Sequence, residues 1–210
     1  ESRADFNFPI RADLGEDFPI KVPELQIRGT AQYDPQQVSA EIAGRPWPGF
    51  LVAVGATWKQ WSTWDNPIVY TAVPAGYPAQ PAPNFHDVVE VRTGLEATFT
   101  VPDADDLLLI PRLGGAWAPS PAPEQTGLHN YLDNDRVVAG LGLGLRWRNL
   151  SLDVAGQLHG LLPRMHTKDA SQAPDQAAPG TLGPDPNPGW PTIRHGGLIG
   201  VWCVEVGVAL

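Results

Sequence analysis

From Val137 to Leu158 the chain alternates apolar residues with small or polar ones at a period of two, and the parity reverses at Arg148-Asn149. Val137, Ala139, Leu141, Leu143, Leu145 and Trp147 share one face, and Val138, Gly140, Gly142, Gly144 and Arg146 share the other. That spacing belongs to a strand, in which successive side chains point to opposite sides. After the dipeptide, Leu150, Leu152, Val154, Gly156 and Leu158 continue the apolar face, with Ser151, Asp153, Ala155, Gln157 and His159 opposite. The pair predicts a hairpin whose turn is Arg148-Asn149.

The same period recurs upstream and downstream. Val89, Val91, Thr93, Leu95, Ala97, Phe99 and Val101 oppose Glu90, Arg92, Gly94, Glu96, Thr98 and Thr100. Leu107 to Trp117, Phe50 to Lys59, Val38 to Ile42 and Trp202 to Leu210 alternate likewise, so seven strands are readable. Short turns near Pro46 to Pro48, at Pro102 to Asp105 and at Arg148-Asn149 take turns with long connections from Thr63 to Asp87, Ala118 to Asp135 and Pro163 to Arg194. To keep that order, Glu24 to Arg45 reads as one long strand bulged at Asp34-Pro35. Residues 1–35 are then a loop-rich segment leading into that strand, and residues 36–210 the main strand array.

Composition narrows the class. With 23 prolines and 22 glycines in 210 residues, long helices are disfavoured, and 42% apolar against 18% charged residues describes a folding chain. The net charge of -9 and the lack of a basic cluster exclude nucleic acid as a partner. A single cysteine, Cys203, allows no internal disulfide. No apolar run reaches the length of a transmembrane helix. A chain opening on Glu1 with no signal segment is expected to be a processed form or a fragment.

Two architectures share this alternation: a soluble β-sandwich of lectin or jelly-roll type, and an outer-membrane barrel whose apolar face meets lipid. Three features favour the barrel. Strands of about eleven residues, rising about 3.3 Å each and tilted near 40°, span about 28 Å, close to the roughly 25 Å apolar band of such barrels. Glycine at three successive polar-face positions of the Val137 strand makes room in an interior. Trp58, Trp117 and Trp147 stand at the ends of apolar faces, as an interfacial girdle requires. Parity also keeps Arg92, Arg112 and Arg146 off the lipid side.

Three short motifs then carry a resemblance: Trp58-Lys59-Gln60-Trp61-Ser62 before a long loop, Ser120-Pro121-Ala122-Pro123 past a strand, and Leu132-Asp133-Asn134-Asp135-Arg136 opening the next. Residues 35–210 resemble the C-terminal half of the FadL-type outer-membrane transport family. The resemblance implies an all-β, antiparallel transmembrane barrel, with this chain supplying about seven of 14 strands. It implies passive transport of long-chain fatty acids or other hydrophobic compounds across a bacterial outer membrane, with outer-membrane lipid outside and a hydrophobic small-molecule ligand inside. The family's N-terminal half with its hatch is missing, and the chain ends on Leu210 rather than an aromatic residue.

No enzymatic chemistry is expected. Ser151, Asp153 and His159 have the residue types of a triad, but positions two and eight apart on one strand face do not converge. Gly140-Leu141-Gly142-Leu143-Gly144 is followed by no helix, so phosphate binding is improbable. Asp133 and Asp135 read as turn chemistry. The five histidines lack metal-ligand spacing, so no metal or other cofactor is expected. What remains is a charged lumen set: Glu90, Arg92, Glu96, Arg112, Arg146, Asp153 and His159. Cross-strand pairing explains both signs; an alternative role is an arginine meeting a carboxylate ligand, for which Arg112 and Arg146 are the best candidates.

Overall fold

The computed structural model describes residues 2–10, 25–72, 82–104, 106–127, 129–169 and 189–209. It is built of antiparallel strands: β1 (Ser2–Ile10), β2 (Leu25–Asp34), β3 (Gln36–Trp47), β4 (Phe50–Gln60), β5 (Ile68–Ala72), β6 (Val88–Ala97), β7 (Phe99–Thr100), β8 (Leu107–Ala118), β9 (Arg136–Trp147), β10 (Leu150–Thr167) and β11 (Thr192–Val208). One 3-10 turn, Trp61–Thr63, follows β4. Parts of the expected turn and loop segments, including Asp105, and the chain ends Glu1 and Leu210 lie outside the described residues.

The chain divides into two compact units, Glu1–Gln37 with Lys59–Asp87, and Val38–Trp58 with Val88–Leu210. The first holds a three-stranded sheet in the order β1-β2-β5. Its aromatic residues pair locally: Phe6 stacks on Phe8 with centroids 5.7 Å apart, and Tyr33 packs on Trp64 at 4.8 Å.

The second unit carries the large sheet, in the order β11-β10-β9-β8-β6-β4-β3, with β7 also paired to β8. The strand path has seven members, so its two edge strands, β3 and β11, run in the same direction. Most of the expected strands are found. The hairpin around Arg148-Asn149 pairs Trp147 with Leu150, and Arg148 takes a φ of 52° to make the turn. The β3–β4 turn needs Gly49, whose φ is 75° and where a Cβ would lie 2.8 Å from the Thr98 carbonyl oxygen. The Thr98 amide donates to the Gly49 carbonyl at 2.6 Å, and this bond marks the break between β6 and β7 within what reads as one strand.

Three expectations are corrected. The segment read as one long strand to Arg45 is two strands, β2 and β3, in different sheets; Pro35 between them has no N–H to give to a ladder. The loop-rich N-terminal segment holds β1, and the connection after Thr63 holds β5. Pro163 does not end its strand: the β10–β11 register shifts between Leu161 and Arg164, a bulge that admits proline, and pairing resumes to Thr167 opposite Thr192.

The two faces of the large sheet differ in chemistry. One cross-strand row runs Leu95, Leu113, Leu141, Gly156 and Trp202, and the next on that face runs Pro111, Leu143, Val154 and Val204. Among the described residues no second layer covers this face: Leu141 is 70% exposed, Val204 65% and Trp202 81%. Trp117 pairs with Val137 at one end of β9, and Trp147 pairs with Leu107 and Leu150 at the other. Those ten steps along β9, at about 3.3 Å each, separate the two tryptophan levels by about 33 Å along the strand.

Candidate functional site

The opposite face carries the charged set. Glu96 on β6 and Arg112 on β8 are register partners, and the Arg112 Nε donates to Glu96 Oε2 at 2.7 Å. The Arg112 Nη1 reaches past β9 to Asp153 Oδ1 on β10, at 2.6 Å. Arg146 on β9 gives Nη2 to the other oxygen of Asp153 at 2.7 Å, and its Nη1 to the Leu145 carbonyl at 3.0 Å. Four of the seven predicted residues thus form one ladder over four strands. Two arginines balance two carboxylates, so its formal charge is zero.

Glycine makes that ladder possible. Gly144 on β9 is the register partner of Asp153, beneath the Arg112–Asp153 contact. A Cβ there would lie 2.8 Å from Asp153 Oδ1 and 3.2 Å from Arg112 Nη1. The same device recurs on β4: Gly55 sits under the pair formed by Arg92 on β6 and Glu41 on β3, with an added Cβ 3.0 Å from the Arg92 Nε and 3.3 Å from Glu41 Oε2. There Arg92 donates to Glu41 at 3.4 Å and to Thr57 Oγ1 at 3.2 Å, and Thr57 shares a hydrogen with Ser39 across 2.9 Å.

Between the ladders Gly94, Gly114 and Gly140 lie in register with Gln157. With Glu96 and Arg112 they line a trough of about 320 Å³. His159 joins neither ladder; its Nε2 contacts Gln157 Oε1 at 3.3 Å. Glu90 lies on β6 at the parity of Arg92. The triad types are dispersed as expected: Asp153 is held by arginines and His159 by Gln157. Among the described residues no group of three potential ligands could hold a metal ion, and Cys203 is free and exposed.

A second assembly, which the sequence reading did not anticipate, ties the connection between β8 and β9 to the far ends of β10 and β11. The Asp135 carboxylate accepts the Ser120 amide at 2.8 Å, and Asn134 Nδ2 donates to the Leu162 carbonyl at 2.7 Å. Arg164 donates to Ser120 Oγ, the Ala122 carbonyl and the Asp133 carbonyl, and the Lys168 Nζ to the Gly127 and His129 carbonyls and Asn130 Oδ1. His166, fully buried, and His195 complete it. Two of the motifs that carry the family resemblance, Ser120 to Pro123 and Leu132 to Arg136, meet in this knot.

The sequence matches no protein-family model and no curated protein. The fold is similar to the crystal structure of a Pseudomonas aeruginosa FadL homologue, with a TM-score of 0.52 and 16% identity over 87% of this chain and 36% of that one. The likeness is one of fold, and this chain spans about a third of the neighbour's length. It supports the all-β, antiparallel reading of a barrel wall that this chain does not close.

Proposed function

We propose that the chain forms part of the wall of a bacterial outer-membrane channel that passes hydrophobic small molecules, such as long-chain fatty acids, without covalent change. One observation carries the reading: an uncovered apolar face between two tryptophan levels ten residues apart along β9, backed by a face of paired charges and bare glycines; at a barrel tilt near 40° that face would stand about 25 Å tall. A soluble sandwich would bury Leu141, Leu143 and Leu152 against a second layer, and here Leu141 and Leu143 are exposed. On this reading outer-membrane lipid contacts the apolar face, and the rest of the barrel pairs with β3 and β11.

The polar face, with Arg92, Glu90, Glu96, Arg112, Arg146, Asp153 and His159, then lines the passage. Arg146 is the better receptor for a ligand carboxylate, because it holds one acidic side chain where Arg112 holds two. An entering carboxylate would compete with Asp153 for a planar guanidinium that accepts such groups in a bidentate fork.

The test uses the only cysteine. Cys203 is on the polar face, in register with Ala155, and Val204 is on the apolar face. In membranes, a water-soluble, impermeant maleimide should label Cys203, whereas Val204→Cys in a Cys203→Ser background should react only with a lipid-soluble reagent. Equal labelling of both sites by the water-soluble reagent would remove the membrane assignment. In transport, Arg146→Ala should slow an acidic lipid but not a neutral alkane of equal length; unchanged uptake in both Arg146→Ala and Arg112→Ala would remove the carboxylate role.

A further inference from the structure

We propose that His166 and His195 form a proton-controlled latch, which fastens the connection between β8 and β9 to the ends of β10 and β11 while both imidazoles are neutral and releases it when either ring gains a second proton. The bonds run in one direction only. The Gln125 backbone amide donates to His166 Nδ1 at 3.0 Å, so in the neutral ring the proton sits on Nε2. That Nε2 faces His195 Nε2 at 2.8 Å, so the second ring accepts there and carries its proton on Nδ1. His195 Nδ1 lies 2.8 Å from Asn134 Oδ1, and the orientation of Asn134 is fixed by its Nδ2 donating to the Leu162 carbonyl. The rings are inclined by 22° with centroids 4.9 Å apart, close to two imidazoles bonded nitrogen to nitrogen in line. One shared hydrogen fits that space.

Among the described residues a second proton has no acceptor. On His195 Nε2 it would set two N–H groups head to head across 2.8 Å; on His166 Nδ1 it would point at the Gln125 amide hydrogen. The charged groups that bear on the pair are Arg164 and Lys168 at the end of β10, and Glu124 and Asp133 in the connection; Asp135 is engaged by the Ser120 amide. Burial first, then the positive charge of Arg164, holds both imidazoles below the ordinary histidine value of 6.5. His166 lies six residues beyond Gly160, which aligns with Val137 and Trp117, so the latch sits past the apolar band.

The sign follows from linkage. A ring kept neutral in the closed latch takes its proton more readily once released, so the latch holds fully above about pH 6.5 and weakens as pH falls below that value. The bonds of Arg164 and Lys168 go to carbonyl and side-chain oxygens and not to either imidazole, so the opening is confined to Gln125, Tyr131 and Asn134. On the channel reading, a more open long-loop end in acid is the consequence for transport.

The experiment reads the latch directly, in detergent micelles. Nitrogen NMR of the imidazoles at pH 7.5 should show opposite tautomers, Nε2–H for His166 and Nδ1–H for His195. Amide exchange at Gln125 and Tyr131, corrected for the intrinsic rate, should lose at least tenfold protection between pH 7.5 and 5.0, with β9 unchanged. In the double variant His166→Asn, His195→Phe that step should vanish. Identical tautomers, unchanged protection at Gln125 down to pH 5.0, or a step that persists in the double variant each overturns the proposal. Fatty-acid uptake is a separate reading: a latch that opens in a protein that takes up no fatty acid at either pH counts against the channel and supports the latch.

Discussion

Replacing Gly144 by alanine puts a methyl group where the Arg112–Asp153 ion pair passes over β9. The added carbon would sit 2.8 Å from Asp153 Oδ1 and 3.2 Å from Arg112 Nη1, so the pair must part. A bond between charged partners contributes roughly 1.5 to 3 kcal/mol, and with the two side chains 37% and 23% exposed, solvent screening favours the lower end. Alanine itself restores about 0.5 to 1 kcal/mol through the less flexible unfolded chain. Gly140→Ala makes the same backbone change on the same face of the same strand, but its new carbon meets nothing nearer than 3.7 Å. The two variants should therefore differ in urea unfolding by about 1.5 kcal/mol, with Gly144→Ala the weaker. In an Asp153→Ala background the difference should disappear, because no bond is left to break. Equal stabilities of the single variants, or a difference that survives without Asp153, would refute the idea that glycine is there to let the ladder through.

Gly55→Ala should act in the same direction on the Arg92–Glu41 pair but more weakly, since that contact is 3.4 Å long and its side chains are half exposed; urea midpoints against Gly94→Ala, which has open space around it, check this. Leu141→Arg, on the apolar face, should cost about 2 to 4 kcal/mol on refolding into lipid bilayers. The same change at a water-exposed site would stay within about 0.5 kcal/mol.

The elements legible in the sequence were those whose period and turn agreed. The β9–β10 hairpin shows itself because parity reverses across two residues, and a register follows from so short a turn. Proline misled in both directions: Pro163 looks like a terminus and is a bulge, while Pro35 looks like a bulge and parts two sheets. β1 was overlooked although Ala4, Phe6, Phe8 and Ile10 alternate with Arg3, Asp5, Asn7 and Pro9, a pattern that polar neighbours and Pro9 obscure, and β5 escaped because Ile68–Ala72 is only five residues long. Parity alone placed Glu96, Arg112, Arg146 and Asp153 on one face, but that Arg112 reaches Asp153 over an intervening strand depends on register. Glu41 was missed as the partner of Arg92 although it shares the face of Ser39. Nothing local announces that Gln125, Asn134, His166 and His195 meet, since the chain brings them together from distant segments.

The like-directed margins of the large sheet restrict how a cylinder can be completed. Antiparallel pairing cannot join β11 to β3 of the same molecule, nor to β3 of an upright second copy, because both strands point the same way. A copy inserted upside down would satisfy the hydrogen bonds, but on the channel reading its long loops would emerge on the wrong side of the bilayer. On the channel reading, the polypeptide that completes the ring must therefore bring an odd count of strands, which makes complementation with segments of six, seven and eight strands a sharp geometric assay: only the middle one should seal.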